Sequence, residues 1–197
     1  NGILMITDEV QSGWARSGRM FASEYFAEAG CAPDIMTTAK SIAGGMPLSA
    51  VTASAEIMDA VTPGTIGGTY CGNPVSCASA LKVAEIMERE DYPAKARAIA
   101  DKCMAKFNEW KEKYEVVGDA RGMGSMMGVE FVTDKKSKTP NAELVTKIIN
   151  AAVQKGLLME AAGTYNNVIR FLCPLCVTDA QLEAGLEIYE AAIKESL

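Results

Sequence analysis

Short apolar runs separated by polar or glycine-rich segments mark the first half of the chain, and they predict strands that alternate with helices. The run ILMIT at 3–7 is continuously apolar and stops at Asp8, which is typical of a buried strand in a parallel sheet. The segments PDIMTTA at 33–39 and LSAVTAS at 48–54 predict two further strands, and residues 20–29 predict a helix between the first two. This alternation indicates an α/β fold.

Two helix starts in this half carry residues that cap helices well. Ser54 is the predicted N-cap of a short helix over 54–61. Asn73 and Pro74 suit the N-cap and the first turn of a longer helix, which follows the glycine-rich loop PGTIGGTYCGNP.

A second unit is predicted to begin at Tyr92, so we divide the chain into residues 1–91 and 92–197. Its first helix follows Pro93 and has an apolar stripe at helical spacing, formed by Ile99, Cys103, Phe107, Trp110 and Tyr114. The later predicted elements are strands at 115–119 and 125–132, a helix over 141–155 stopped by Gly156, strands near 157–160 and 167–173, and a last helix opened by a capping box of Thr178 and Gln181.

Composition and charge exclude several function classes. The chain has 197 residues, of which 49% are hydrophobic and 22% charged, and this balance is ordinary for a soluble globular protein. The formal charge of −6 and the absence of a basic stripe argue against a nucleic-acid partner. No apolar run reaches the length of a membrane span and no signal segment opens the chain, so we expect no membrane partner. The six cysteines are scattered without the density of a disulfide scaffold, so we expect them to be reduced and the protein to be cytoplasmic.

Cysteine and glycine motifs suggest two alternatives, both of which we disfavour. Cys173 and Cys176 form a CPLC, but the pair lies in a strand-like run and the chain has no histidine to complete a zinc site, so we predict packing and no metal. The run GMGSMMG has the spacing GxGxxxG and leads into a strand, which does not fit a dinucleotide loop. Small residues for close packing are the better interpretation.

The absence of histidine directs attention to other groups that can transfer protons near neutral pH. Lys40 is the first lysine in the chain and stands among small residues, just past the carboxyl end of a predicted strand, as Asp8 also does. The pair could bind each other or water, or share an active site at this edge of the sheet. A crowded and partly dry site would suit an amine that performs chemistry.

Pyridoxal phosphate chemistry uses this combination of an amine and a carboxylate. A lysine forms a Schiff base with the aldehyde of the cofactor, and an aspartate contacts the pyridine nitrogen and favours its protonated form. Once the substrate displaces the lysine, its free amine can shuttle the proton.

The segments ITDEVQSGWARSGRMF, PDIMTTAKSIAGGMPLSAV and GGTYCGNP follow one another as three ordered motifs. Together they resemble those of the class III, or ω-, aminotransferases of the fold-type I group. The resemblance continues through RGMGSMMGVEF and NVIRFLCPL, so it covers essentially the whole chain. Within the family, GGTYCGNP and GTYNNVIRFLCPL are most similar to the versions in 4-aminobutyrate aminotransferases, whereas ornithine-type relatives usually carry Phe where Tyr70 stands.

The resemblance implies the C-terminal part of a fold-type I pyridoxal-phosphate-dependent transferase. Residues 1–91 would be the C-terminal part of the large domain with its mixed or parallel sheet, and 92–197 the small α+β C-terminal domain. The family forms homodimers or larger homo-oligomers. Its own-subunit phosphate site, formed at a helix N-terminus, would precede Asn1, so we expect these 197 residues alone not to transaminate.

The resemblance also assigns roles to single residues. Lys40 would be the Schiff-base lysine and Asp8 the partner of the pyridine nitrogen. Gln11 would bind the phenolic oxygen of the cofactor, although by itself it reads as a polar loop residue. Thr69 would reach the cofactor phosphate of the neighbouring subunit, although its loop by itself is only a flexible turn. Arg170, in an apolar strand, would grip the substrate carboxylate or, alternatively, form a structural salt bridge.

We therefore expect an aminotransferase that moves the amino group of an ω-amino acid, 4-aminobutyrate above all, to 2-oxoglutarate, giving succinate semialdehyde and glutamate. An acetylornithine or ornithine aminotransferase is the alternative within the family, and a decarboxylating relative is less favoured. A non-catalytic α/β domain is the alternative from another class. Against it stands the joint presence of the four site residues Asp8, Gln11, Lys40 and Arg170.

Overall fold

A computed structural model describes residues 2–65 and 67–197 and separates the chain into two compact units, one that ends at Ala94 and one from Lys95 to Leu197. The assignment of the segments 1–91 and 92–197 to a large cofactor-binding domain and a small domain stays a prediction. Within the described ranges, no helix has the length and apolar character that crossing a membrane requires.

The first unit is built on a three-stranded sheet of order β1-β2-β3, in which β1 runs parallel to β2 and β3 runs antiparallel to it. Its elements are the strands β1 (Ile6–Asp8), β2 (Ile35–Thr38) and β3 (Ala50–Ala53) and the helices α1 (Ser23–Glu28), α2 (Ala55–Asp59) and α3 (Pro74–Arg89), with a 3-10 turn at Lys40–Ala43. The sheet is therefore mixed, as expected.

Both predicted caps of this unit are confirmed. The Ser54 side chain accepts the Ile57 amide at 3.4 Å, at the start of α2. The Asn73 side-chain oxygen accepts amides from the first turn of α3, where Pro74 occupies the first helical position. Side-chain oxygens satisfy amides that a helix start leaves without partners.

The prediction that the first apolar run is buried is wrong for the described chain. Ile3, Leu4 and Ile6 are 82%, 55% and 63% exposed. The physical reason is that β1 is the edge of the sheet, with β2 on one side, so an apolar sequence alone cannot bury it.

The second unit packs helices against an antiparallel sheet of order β4-β5-β7-β6. Its elements are the helices α4 (Tyr92–Lys113, most of which belongs to this unit), α5 (Ala142–Gln154) and α6 (Asp179–Ser196) and the strands β4 (Val117–Met123), β5 (Met126–Phe131), β6 (Glu160–Ala162) and β7 (Val168–Phe171). The strand predicted near 157–160 begins at Glu160 instead, where pairing with β7 starts. The capping box of α6 is present as predicted.

Aromatic side chains form the centre of this unit. Phe107, Trp110 and Tyr189 are fully buried, with ring centroids 5.0–6.1 Å apart. Contacts of this kind between large rings contribute more than their buried area alone. The predicted stripe of α4 therefore faces the core, as its spacing indicates.

The run GMGSMMG forms the tight hairpin between β4 and β5 and opens no helix. A Cβ on Gly122 would lie 2.6 Å from Met127 Cγ, and one on Gly128 would lie 3.0 Å from Val168 Cγ1. These approaches support close packing as the role of the small residues.

The cysteines are free thiols, and no group of three or more His, Cys, Asp or Glu side chains that could hold a metal occurs in the described ranges. Cys173 is half-buried, 3.8 Å from Ser125 Oγ, whereas Cys176 is exposed. The packing interpretation of the CPLC is thus wrong for Cys176. Burial raises the pKa of the Cys103 thiol to about 12, so this cysteine is unreactive near neutral pH.

Glu190 on α6 provides a pH-dependent contribution to stability. Its Oε1 accepts hydrogen bonds from Lys113 Nζ at 2.6 Å and from Tyr114 Oη at 2.8 Å, and its side chain is 17% exposed. The hydrogen bond from Lys113 is the main reason that the pKa of Glu190 falls from 4.5 to about 2, with Tyr114 and Lys194 adding to the effect.

We predict that Glu190→Gln removes stability, on the order of 2 kcal/mol at neutral pH. Because the folded pKa is the lower one, this stability is present above pH 4.5 and is lost as the pH falls towards 2. Denaturant unfolding at several pH values checks this, with exposed Glu187→Gln as control. A Glu190→Gln protein with the same pH dependence as the parent would contradict it.

Candidate functional site

Two strand ends bring a carboxylate and an amine to the same edge of the first sheet. Asp8 is the last residue of β1 and pairs in register with Thr37 of β2. Lys40 follows two residues after the end of β2 at Thr38. Because β1 and β2 are parallel, their carboxyl ends coincide, which is where open α/β sheets bind ligands.

The backbone that carries Lys40 is bent sharply and anchored. Lys40 has φ +49°, in the left-handed region that costs a residue with a side chain about 1–2 kcal/mol. The following turn is fixed to α3, since Ser79 Oγ donates to the Ala43 carbonyl at 2.8 Å. Ile42 and Ala43 are buried beneath it. Strain held in place by its surroundings is a common property of functional residues.

The side chains of Asp8 and Lys40 are exposed. The expectation of a crowded and partly dry environment is therefore not met by the described residues.

The loop after β1 holds Gln11 and a carboxylate that the sequence did not single out. Asp8 Oδ1 accepts a hydrogen bond from the Val10 amide at 3.0 Å, and this bond stabilises the turn after β1. Gln11, the next residue, is half-buried. Glu9 is only 1% exposed, and its carboxylate accepts hydrogen bonds from the Ser23 amide and from Ser12 Oγ, both at 2.5 Å. A glutamate beside an aspartate resembles ordinary surface charge, so no sequence signal distinguished it.

Thr69 lies exposed in a turn that leads to the cap of α3. Its neighbour Tyr70 is 84% exposed. The predicted glycine-rich loop includes Ile66, which lies outside the described residues. Thr69 thus offers a hydroxyl at an open surface of the first unit.

Arg170 belongs to the second unit and is already paired. It stands on β7 directly opposite Glu160 on β6, and its guanidinium forms an ion pair with that carboxylate. The Arg170 side chain is 28% exposed. Both residues line a cavity of about 430 Å³ whose other walls are mostly apolar, including Leu157 and Phe171. The salt-bridge interpretation and the carboxylate-binding interpretation therefore both stay open.

The donor set of the first unit fits the groups of pyridoxal phosphate. Lys40 would supply an amine for its aldehyde, and Asp8, from the adjacent strand, would supply a carboxylate for its ring nitrogen. Gln11 and Thr69 would supply an amide and a hydroxyl suited to its phenolic oxygen and its phosphate.

The family "Aminotransferase class-III" matches residues 1–193. The chain is 46% identical to the 5-aminovalerate aminotransferase of Pseudomonas aeruginosa, covering 99% of this chain and 45% of that protein. It is 45% identical to the 4-aminobutyrate aminotransferase of Escherichia coli, covering 100% of this chain and 45% of that protein. The chain thus spans less than half the length of these curated relatives.

Solved structures give the same result for the fold. An amine transaminase from an uncultivated Pseudomonas species, solved in its PLP-bound form, superposes with a TM-score of 0.88 at 34% identity, over 100% of this chain and 45% of that one. An (S)-enantioselective ω-transaminase from Thermomicrobium roseum superposes with a TM-score of 0.89 at 32% identity, over 100% and 44%. The predicted fold class, that of a fold-type I transferase, is confirmed.

Proposed function

The chain belongs to the class III aminotransferases, and we propose that the enzyme containing it transfers the amino group of an ω-amino acid to a 2-oxo acid with pyridoxal phosphate. The favoured pair is 4-aminobutyrate and 2-oxoglutarate, giving succinate semialdehyde and glutamate. The observation that carries the proposal is the joint position of Asp8 and Lys40 at adjacent parallel strand ends in a chain of this family.

When bound, pyridoxal phosphate supplies the sink for the electron pair left when the substrate carbon loses its proton. Lys40 holds the cofactor through Nζ, and later takes and returns the substrate proton at the same atom. Asp8 keeps the ring nitrogen protonated through its opposite charge. Gln11 orients the ring through the phenolic oxygen.

Thr69 binds the cofactor phosphate of the neighbouring subunit, so the proposal includes a homodimer or larger homo-oligomer, which we assign to the cytoplasm. The exposed position of Thr69 at the surface of the first unit is compatible with such a contact. Sedimentation of the full-length enzyme should give at least twice the mass of one subunit.

Two named relatives support an ω-amino acid as the donor. The substrates in their names, 5-aminovalerate and 4-aminobutyrate, both carry a terminal amine and a carboxylate, and they differ by one methylene. One methylene in an apolar pocket changes specificity only about 10–200-fold. 5-Aminovalerate is therefore the second candidate donor.

A donor panel tests the proposal with the full-length enzyme and 2-oxoglutarate as acceptor. We expect the largest kcat/KM with 4-aminobutyrate, followed by 5-aminovalerate. Acetylornithine or ornithine as the best donor would replace the proposed substrate by the family alternative. No turnover with any amine, from enzyme loaded with cofactor, would refute the transaminase proposal.

The role of Arg170 gives a prediction of its own. Arg170→Ala should raise KM for carboxylate-bearing donors, because a charge-assisted hydrogen bond of roughly 1.5–3 kcal/mol is lost. Simple alkylamine donors should be affected far less. Steady-state kinetics with both donor types measures the difference.

Glu160→Gln is the matched control, since it removes the other member of the ion pair and leaves the guanidinium in place. It should retain use of carboxylate donors. If Arg170→Ala and Glu160→Gln weaken all donors equally and lower the melting temperature by the same amount, Arg170 is structural.

A further inference from the structure

Glu9 is the buried carboxylate of the first unit that the proposed mechanism does not use. It directly follows Asp8, yet the two side chains have opposite environments, since Asp8 is exposed and Glu9 is 1% exposed. Burying a carboxylate is costly unless donors compensate for the lost water. Its burial therefore requires a structural reason.

The donors to Glu9 come from the two ends of one loop. Ser12 Oγ, near the start of the loop, donates to Oε2, and the Ser23 amide, at the start of α1, donates to Oε1. The Gly13 amide also donates to the Glu9 carbonyl at 3.1 Å. The Glu9 side chain thus links the two ends of the segment between β1 and α1, and this segment includes Gln11.

The backbone at Glu9 continues the pairing of the two parallel strands. Its amide donates to the Thr37 carbonyl at 2.8 Å, one residue beyond the last register pair of β1. In extended backbone, successive side chains point to opposite sides. A Glu9 side chain held inward therefore turns the preceding Asp8 side chain outward.

Close packing leaves the loop little room to rearrange. A Cβ on Gly13 would lie 2.8 Å from the Glu9 carbonyl oxygen and 3.0 Å from the ring of Phe21. The loop is built tightly around the backbone of Glu9.

We propose that Glu9 is a positioning residue that determines which of two adjacent carboxylates is presented at the sheet edge. Its side chain ties Ser12 to Ser23, fixes the loop, and so holds Asp8 at the sheet edge where the cofactor ring would bind. This inference rests on the proposed role of Asp8 in binding the ring nitrogen.

Three substitutions in the full-length enzyme test it. Glu9→Gln keeps the shape of the side chain, because its amide can accept a hydrogen bond from the Ser23 backbone amide and donate one to Ser12 Oγ. The kcat of this variant should stay within about threefold of the parent. Glu9→Asp keeps the charge but is one methylene too short to reach both partners. Glu9→Ala removes both contacts. We expect kcat to fall about 10–100-fold in the last two, with KM for the 2-oxo acid changed less than about threefold, because the ring partner is misplaced.

The second readout does not depend on activity. In cofactor-free enzyme, hydrogen exchange of the amides in residues 10–23 should speed up about tenfold or more in Glu9→Asp and Glu9→Ala, since a locally stabilising contact is lost. Asp34→Ala is the control, because Asp34 accepts the Met5 amide at 2.7 Å at the opposite end of β1 and has no contact with this loop among the bonds described. It should leave exchange in residues 10–23 and kcat unchanged.

The outcomes separate the inference from the proposed function. Parental exchange and kcat in Glu9→Asp would overturn the positioning role, and this variant keeps the test decisive if Glu9→Ala does not fold. An equal fall in kcat and an equal increase in hydrogen exchange in Asp34→Ala would also overturn the positioning role, because general destabilisation would explain the effect. If Asp8→Asn retains full activity, the proposed function itself fails, whatever Glu9 does.

Discussion

Lys40→Ala in the full-length enzyme is expected to abolish transamination. The variant loses both the covalent attachment of the cofactor and the amine that moves the substrate proton, and general acid–base catalysis alone contributes about 10²–10⁴-fold. The chain has no histidine to take over the proton. Turnover of 4-aminobutyrate with 2-oxoglutarate measures the loss.

Lys82→Ala is the matched control for this substitution. Lys82 is the next lysine along the chain, is exposed on α3 and pairs with Glu85 at 2.7 Å. It should retain full activity. A Lys40→Ala enzyme with more than a few per cent of the parental rate would remove Lys40 from the mechanism.

Asp8→Asn is expected to keep the fold and to retain cofactor, but to lower kcat by about 10²–10³-fold, the range found when one preorganised electrostatic partner is removed. The neutral amide no longer favours the protonated ring, and this interaction matters most in the transition state. Asp8 is exposed at a strand end and contacts the Val10 amide, a bond that asparagine can also accept, so little structural loss should accompany the change.

Steady-state kinetics and cofactor titration measure the effect of Asp8→Asn side by side. Asp59→Asn, at the exposed end of α2, is the control and should behave like the parent. A near-parental rate in Asp8→Asn with cofactor bound would show that another group supports the ring.

Local signals in the sequence predicted much of the fold because they act over a few residues. Caps such as Ser54 and the Thr178 box depend on one side chain and the next turn, and both appear in the structure. Asp8 and Lys40 were located because each directly follows an apolar run. The continuous apolar run before Asp8 is typical of a strand in a parallel sheet, and β1 does run parallel to β2.

Features that depend on distant partners were not predicted. The first apolar run reads as buried, but burial depends on which strands lie beside it, and in the described chain β1 is an edge. The start of β6 at Glu160 is set by pairing with β7 rather than by local propensity. A structural salt bridge was one of the two interpretations of Arg170, but its partner Glu160 was not predicted, and neither was the burial of Glu9. Both depend on residues that are 10 and 14 positions away in sequence.

Covalent trapping identifies the lysine that holds the cofactor, which we propose to be Lys40. Full-length enzyme loaded with pyridoxal phosphate is reduced with borohydride, digested, and mapped by mass spectrometry. We expect a stable pyridoxyl label on the peptide containing Lys40, and none on the peptide containing Lys82. A label on any other lysine, or no label on enzyme that is active, would contradict it.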